Sequence, residues 1–129
     1  MSRRQNIASG GKYEKAIGYS RAVRIDNLVF VSGTTGTDAT GKLVSDSDSY
    51  TQARQAILNI EKALKTAGSS LQDVVRTRVF VRPDTDWEGI AKAHLEFFGS
   101  VMPASSMLVC NFLNPNIIVE IEADAVIKE

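Results

Sequence analysis

At 129 residues, with Lys+Arg and Asp+Glu both at 15, the chain has the size of one ordinary domain and no formal net charge. That balance excludes a global field drawing it to nucleic acid or anionic membrane, and no apolar run nears the ~20 residues a bilayer needs. The polar start Met1-Ser2-Arg3-Arg4 lacks the apolar core of a secretory signal, and the single cysteine, Cys110, allows no internal disulfide, so the expected location is cytoplasmic.

Residues 1–15, polar and containing Ser9-Gly10-Gly11, read as an N-terminal arm, with the folded domain spanning 16–129. Ala22–Ile25 and Leu28–Ser32 are Val- and Ile-rich and separated by Asp26-Asn27, which predicts a tight hairpin. Residues 34–45 form a loop. Asp46 and Ser47 then offer caps for a helix whose apolar stripe runs Tyr50, Ala53, Ile57, Ile60, Leu64, Ala67 and stops at Gly68. Val74–Arg82 alternates as a strand, with Val75, Thr77, Val79 and Val81 on one face and Arg76, Arg78, Phe80 and Arg82 on the other. A second helix over Trp87–Gly99 is expected to bury Trp87, Ile90, His94, Phe97 or Phe98, and Val101. Strands at 106–113 and 117–127, joined by Asn114-Pro115-Asn116, close the chain.

The last strand repeats the two-faced pattern. Ile117, Val119, Ile121, Ala123, Ala125 and Ile127 face the helices. Ile118, Glu120, Glu122, Asp124 and Val126 face away. Acids on one strand and arginines on another predict cross-strand ion pairs if the strands are neighbours. Phe80, Ile118, Val126, Leu108, Cys110 and Phe112 make that same face too apolar to stay bare, and no third helix is present to cover it. A homo-oligomer packed through its sheets is the expectation.

No P-loop, G-x-G-x-x-G or G-x-S-x-G occurs, so no cofactor is expected. One histidine and one cysteine at no ligand spacing imply no metal. His94, on the apolar side of its helix, reads as a packed, hydrogen-bonded boundary residue rather than a base.

In order and spacing, Ala16-Ile17-Gly18-Tyr19, Val31-Ser32-Gly33, Gln52-Ala53-Arg54-Gln55 with Asn59, Val79-Phe80-Val81, Phe97-Phe98, Met102-Pro103-Ala104 and Val119-Glu120-Ile121-Glu122-Ala123 resemble the RidA/YjgF family. The resemblance implies an α+β, chorismate-mutase-like fold with two helices on one face of a mixed sheet. It also implies a homotrimer around a central barrel, with small-molecule clefts between subunits. It implies Glu120 as the group handling water and protons, Tyr19 at the cleft rim, Ser32 and Gly33 as backbone donors, and Trp87 as an aromatic wall.

The deaminating members carry an arginine for the substrate carboxylate two positions after the motif's proline. Here that position is Ser105, and Met107 follows where cysteine is common. A standard 2-imino acid deaminase is therefore not expected, unless Arg21 or Arg24 supplies the missing cation. Three readings stay open: an enzyme acting on a C=N or enamine centre, a non-catalytic ligand-binding or regulatory trimer, and an endoribonuclease or translation inhibitor. The third is the weakest, given zero net charge and an arginine row on the face expected to be buried.

Overall fold

A computed structural model describes residues 3–128. Among these, six strands form a single mixed sheet in the order β1-β2-β3-β6-β4-β5, with β1 Arg4–Ile7, β2 Ala22–Ile25, β3 Leu28–Thr34, β4 Val74–Val81, β5 Ala104–Val109 and β6 Val119–Val126. Only β4 and β5 pair in parallel; every other pairing is antiparallel. Helices α1 Lys12–Ile17, α2 Ser49–Thr66 and α3 Trp87–Phe98 complete the fold. Because β6 runs opposite to both β3 and β4, those two strands share a direction. Each long helix is thus a crossover, α2 from β3 to β4 and α3 from β4 to β5.

The hairpin turns at Asp26, whose φ is 54°. Helix α2 starts one residue later than the candidate caps, because Asp48 itself accepts from the Thr51 N–H at 3.0 Å while its own N–H is held by Ser45 Oγ. Gly68 ends it at φ 84°, a conformation that favours glycine. Ala53, Ile57, Ile60 and Leu64 are fully buried against Val29, Val79, Ile121 and Ala123 of the sheet, with Ile90 and Phe98 from α3.

Several expectations change. The N-terminal arm carries regular structure of its own: Arg4–Ile7 is an edge strand on β2 and Lys12–Ile17 a short helix. Residues 1 and 2 of that arm, and 129 of the domain, lie outside the described residues. A polar four-residue strand carries no alternation to reveal it, and pairing alone defines it. In β4 a bulge between Val74 and Arg76 turns Val75 outward, leaving it half exposed rather than buried. Trp87 begins α3 at its exposed end instead of packing in the core. The strand expected over 106–113 shifts to 104–109, and the one over 117–127 contracts to 119–126. The connection between them is tied down by Gln52, whose amide donates to Ser45 O and Asn116 O and accepts from the Ile118 N–H.

The face of β6 away from the helices carries Glu120, Glu122 and Asp124. Arg78 meets Glu122 at 3.6 Å and Asp124 at 3.3 Å, as the alternation predicted. Phe30, Leu28 and Leu108 remain exposed on this face.

Candidate functional site

The singled-out residues gather in two clusters. The first is built on an irregularity in β3. Its register with β6 shifts between Val31 and Thr34, so Ser32 and Gly33 have no β6 partner. Glu120, on β6, lays its carboxyl against Gly33. A Cβ at that glycine would stand 2.8 Å from Glu120 Cδ and closer still to Oε2. The glycine leaves room for that carboxyl in its present position and serves no special backbone conformation, since its φ is not positive.

Arg21 crosses the bulge, donating from Nη1 to Gly33 O at 2.9 Å and Thr34 Oγ1 at 3.1 Å, with its guanidinium 5.6 Å from the centroid of the Tyr19 ring. Behind it lies Glu14, a buried carboxylate that accepts from the Ser9 N–H and hydroxyl and stands 3.8 Å from Arg21 Nε. Burial raises the pKa of Glu120 above the usual carboxylate value. The neighbouring Glu122 adds to the rise and Arg21 opposes it. A carboxyl tuned upward suits proton transfer near neutral pH.

Ser32 is used internally: its N–H donates to Arg21 O and its hydroxyl to Ser20 O. Of the two candidate backbone donors, that leaves the Gly33 N–H. Arg24 is also committed, donating to Ala67 O at the end of α2 and to Asp26 O.

The second cluster joins β4, β5 and α3. Ser105 pairs with Thr77 across the parallel ladder, and the Thr77 hydroxyl donates to Ser105 Oγ at 2.8 Å. The same Thr77 oxygen lies 2.9 Å from His94 Nε2, and the His94 ring stacks at a tilt on Phe98 with centroids 4.7 Å apart. Burial lowers the His94 pKa, so the ring is neutral at physiological pH. Met107, two residues beyond Ser105, shares its face and is partly exposed. Trp87 precedes His94 by seven residues, two turns of α3, and so sits on the same side of the helix about 10.5 Å along its axis.

The two clusters cannot meet within one chain. Ser105 is registered with Thr77, and Glu120 with Phe80. Thr77 and Phe80 are three apart on one regular strand, hence on opposite faces of the sheet. Thr77 is fully buried under the helices, while Phe80 looks the other way. Glu14 and Thr77 carry no signal in the sequence beyond polar residues at positions that turn out to be buried.

The endoribonuclease L-PSP family matches residues 12–127. The chain belongs to the YjgF/RidA family. A crystal structure from Mycobacterium tuberculosis, of a member of the YjgF/YER057c/UK114 family, is 42% identical and superposes with a TM-score of 0.86 over 96% of this chain and 99% of that one. An uncharacterised Streptomyces coelicolor protein is 31% identical over 122 residues, 94% of this chain and 90% of its own. A 2-iminobutanoate/2-iminopropanoate deaminase from Dermatophagoides farinae is 33% identical over 110 residues, 85% of this chain and 86% of its own. The single-domain mixed sheet with helices is thus that of YjgF-family structures. Among the described residues no helix is long and apolar enough to cross a membrane.

Proposed function

We propose that the protein is a homotrimer of chorismate-mutase-like subunits that binds a small organic molecule in the clefts between them and hydrolyses or tautomerises it at a C=N or enamine centre. The observation carrying this reading is the Glu120 carboxyl, half-buried against Gly33 beside Tyr19 and Arg21, with its pKa raised. In the proposed reaction Glu120 takes a proton from water as the oxygen bonds to the C=N carbon. It returns that proton to nitrogen, giving a carbinolamine, and then carries the hydroxyl proton to nitrogen as well, so that the C–N bond breaks, C=O forms, and ammonia or an amine leaves. For an enamine, protonation at carbon first gives the imine.

The Gly33 N–H faces the developing charge. Tyr19 forms the rim, Trp87 and Met107 form apolar walls, and Ser105 supplies a polar contact. Opposite-face placement of Glu120 and Ser105 supports clefts assembled from two copies, as does the exposed row Leu28, Phe30 and Leu108 on the open sheet face.

Ser105 separates this reading from a standard 2-imino acid deaminase, because a single neutral hydroxyl replaces a bidentate cation. The same feature favours the second reading, a ligand-binding trimer without turnover. Within the arginine row, Arg78 is paired with Glu122 and Asp124, which weakens its use as an RNA contact.

The test is a deaminase assay on 2-aminoacrylate and longer 2-imino acids with wild type, Ser105→Arg, and Ser105→Arg combined with Glu120→Gln. Ser105→Arg should raise kcat/KM by at least about tenfold, reflecting about 1.4 kcal/mol or more from a restored charged contact. Glu120→Gln should then remove about a hundredfold, the scale of general acid–base catalysis. A silent Ser105→Arg puts the binding-protein reading in its place.

A further inference from the structure

We infer that Glu14 and Arg21 are positioning residues of the Glu120 site: their largely buried ion pair holds the Ser32–Gly33 peptide in place against the Glu120 carboxyl. This role rests on the reading of Glu120 and Gly33 as the working wall of the cleft, and it extends that wall to helix α1, which carries Glu14.

Ser32 and Gly33 have no partner on β6, so the strand ladder does not fix their backbone. Side chains take over that task. Arg21 Nη1 donates to Gly33 O at 2.9 Å and to Thr34 Oγ1 at 3.1 Å, and the Thr34 hydroxyl donates to Ser32 O at 2.7 Å. The groups themselves set the direction of these bonds. A guanidinium only donates and a carbonyl only accepts, so the single Thr34 proton goes to Ser32 O. Ser32 also gives its N–H to Arg21 O and its hydroxyl to Ser20 O. The carbonyl of Ser32 and the N–H of Gly33 belong to one planar trans peptide and point in opposite directions. Holding Ser32 O therefore aims the Gly33 N–H, and holding Gly33 O fixes the next peptide along.

Arg21 is in turn held by Glu14. Their side chains are only 14% and 8% exposed, and Arg21 Nε, 3.8 Å from Glu14 Oε2, is buried with no hydrogen-bond partner among the described residues. On that side of the guanidinium, the Glu14 charge is what offsets burial. Glu14 is itself pinned, accepting from the Ser9 N–H at 3.0 Å and from the Ser9 hydroxyl. Among the described residues no ion pair joins Arg21 to Glu120, so Arg21 sets the place of that carboxyl through Gly33. Without the Glu14 charge the guanidinium is left buried and short of partners. It then turns toward water, which frees Gly33 O and the Thr34 hydroxyl.

The test follows the intact protein by NMR in wild type, Glu14→Gln and Arg21→Met. It reads hydrogen exchange at the Ser32, Val79 and Ile121 amides and the pH titration of the Glu120 carboxyl ¹³C. Glu14→Gln keeps the shape and an acceptor for Ser9 but loses the charge, and Arg21→Met keeps the apolar stem but loses every side-chain donor. In both variants Ser32 should exchange at least about tenfold faster, while Val79 and Ile121, in the core of the sheet, keep their rates. The Glu120 midpoint should fall in both, because a loosened Gly33 opens the carboxyl to water and burial is the largest cause of its raised value. Arg21→Met is decisive in sign. The charged groups acting on Glu120 are Glu122, which raises its value, and Arg21, which lowers it, so losing the cation alone would move the midpoint up.

Unchanged Ser32 exchange in either variant, or a midpoint that does not fall in Arg21→Met, overturns the positioning role and leaves the reading of Glu120 standing. So does faster exchange shared equally by Val79 and Ile121, which is a general loss of stability. If Arg21→Met does not fold, Ser32 exchange in Glu14→Gln decides alone. A wild-type Glu120 that titrates at the ordinary carboxylate value overturns the positioning role and the reading of Glu120 together.

Discussion

Glu120 is the residue whose behaviour most depends on its surroundings. On sequence it is one of three acids on an alternating strand, equally suited to pairing with an arginine. In the structure the pairing falls to Glu122 and Asp124 with Arg78, and Glu120 is left one register step away, pressed on Gly33. Its folded pKa lies above the ordinary carboxylate value, so the native state holds this proton more tightly than the unfolded chain does. Stability therefore falls as pH rises from the unfolded carboxylate range through the raised folded value, and the full cost of the buried charge is present above it. Glu120→Gln removes that titration. Its melting temperature relative to wild type should climb between pH 4 and pH 8, as measured by thermal denaturation at several pH values. A difference independent of pH would mean the carboxyl is not perturbed. Ser105 is the converse case: its identity is plain in the sequence, but its partners Thr77 and His94 appear only when β4, β5 and α3 are assembled.

At the scale of elements, α2 is the best-determined piece, since its stripe, its cap and its terminating glycine are all local. Its least local residue is Gln52, fully buried and bonded to three backbone groups on two separate connections, Ser45 O, Asn116 O and the Ile118 N–H. These bonds tie the connection before β6 to the start of α2 and to the loop that precedes it. Gln52→Leu is close in volume but leaves all three groups without partners. It should destabilise the protein by about 2–4 kcal/mol, read as a lower urea midpoint at unchanged slope. Asn59 plays a similar part for the 35–37 loop, donating to Thr35 O and Thr37 O. Elements defined by pairing were less legible. β1 is too short and polar to show a period, the bulge at Val75 reverses a side chain that strict alternation places inside, and Trp87 sits on the helix stripe but beyond the edge of the core.

For the whole molecule, the division of the proposed site between two sheet faces has a direct consequence. Wild type provides Glu120 without an arginine at 105, and the Ser105→Arg, Glu120→Gln double variant provides the reverse. Each alone should turn over 2-imino acids at least about tenfold more slowly than Ser105→Arg. If each cleft takes one wall from each of two copies, random mixed trimers should restore about a quarter of the clefts to full competence. Activity should rise on refolding the two together and not on simple mixing without exchange. Sedimentation should give three times the 14.0 kDa chain mass, and charging the open face with Phe30→Glu and Leu108→Glu should yield monomers. The absence of a rise in verified mixed trimers would mean that the walls do not share a cleft.

What the sequence determined by itself was local or periodic: the hairpin at Asp26-Asn27, the α2 stripe ending at Gly68, and the two-faced β4 and β6. These follow from side-chain period and backbone preference within a few residues. Only the tertiary structure decided which residues meet. The contact of Thr77 with Ser105 spans 28 positions, and that of Gln52 with Ile118 spans 66. Strand order and register, set by packing of the whole core, bring such pairs together, and no local preference encodes them.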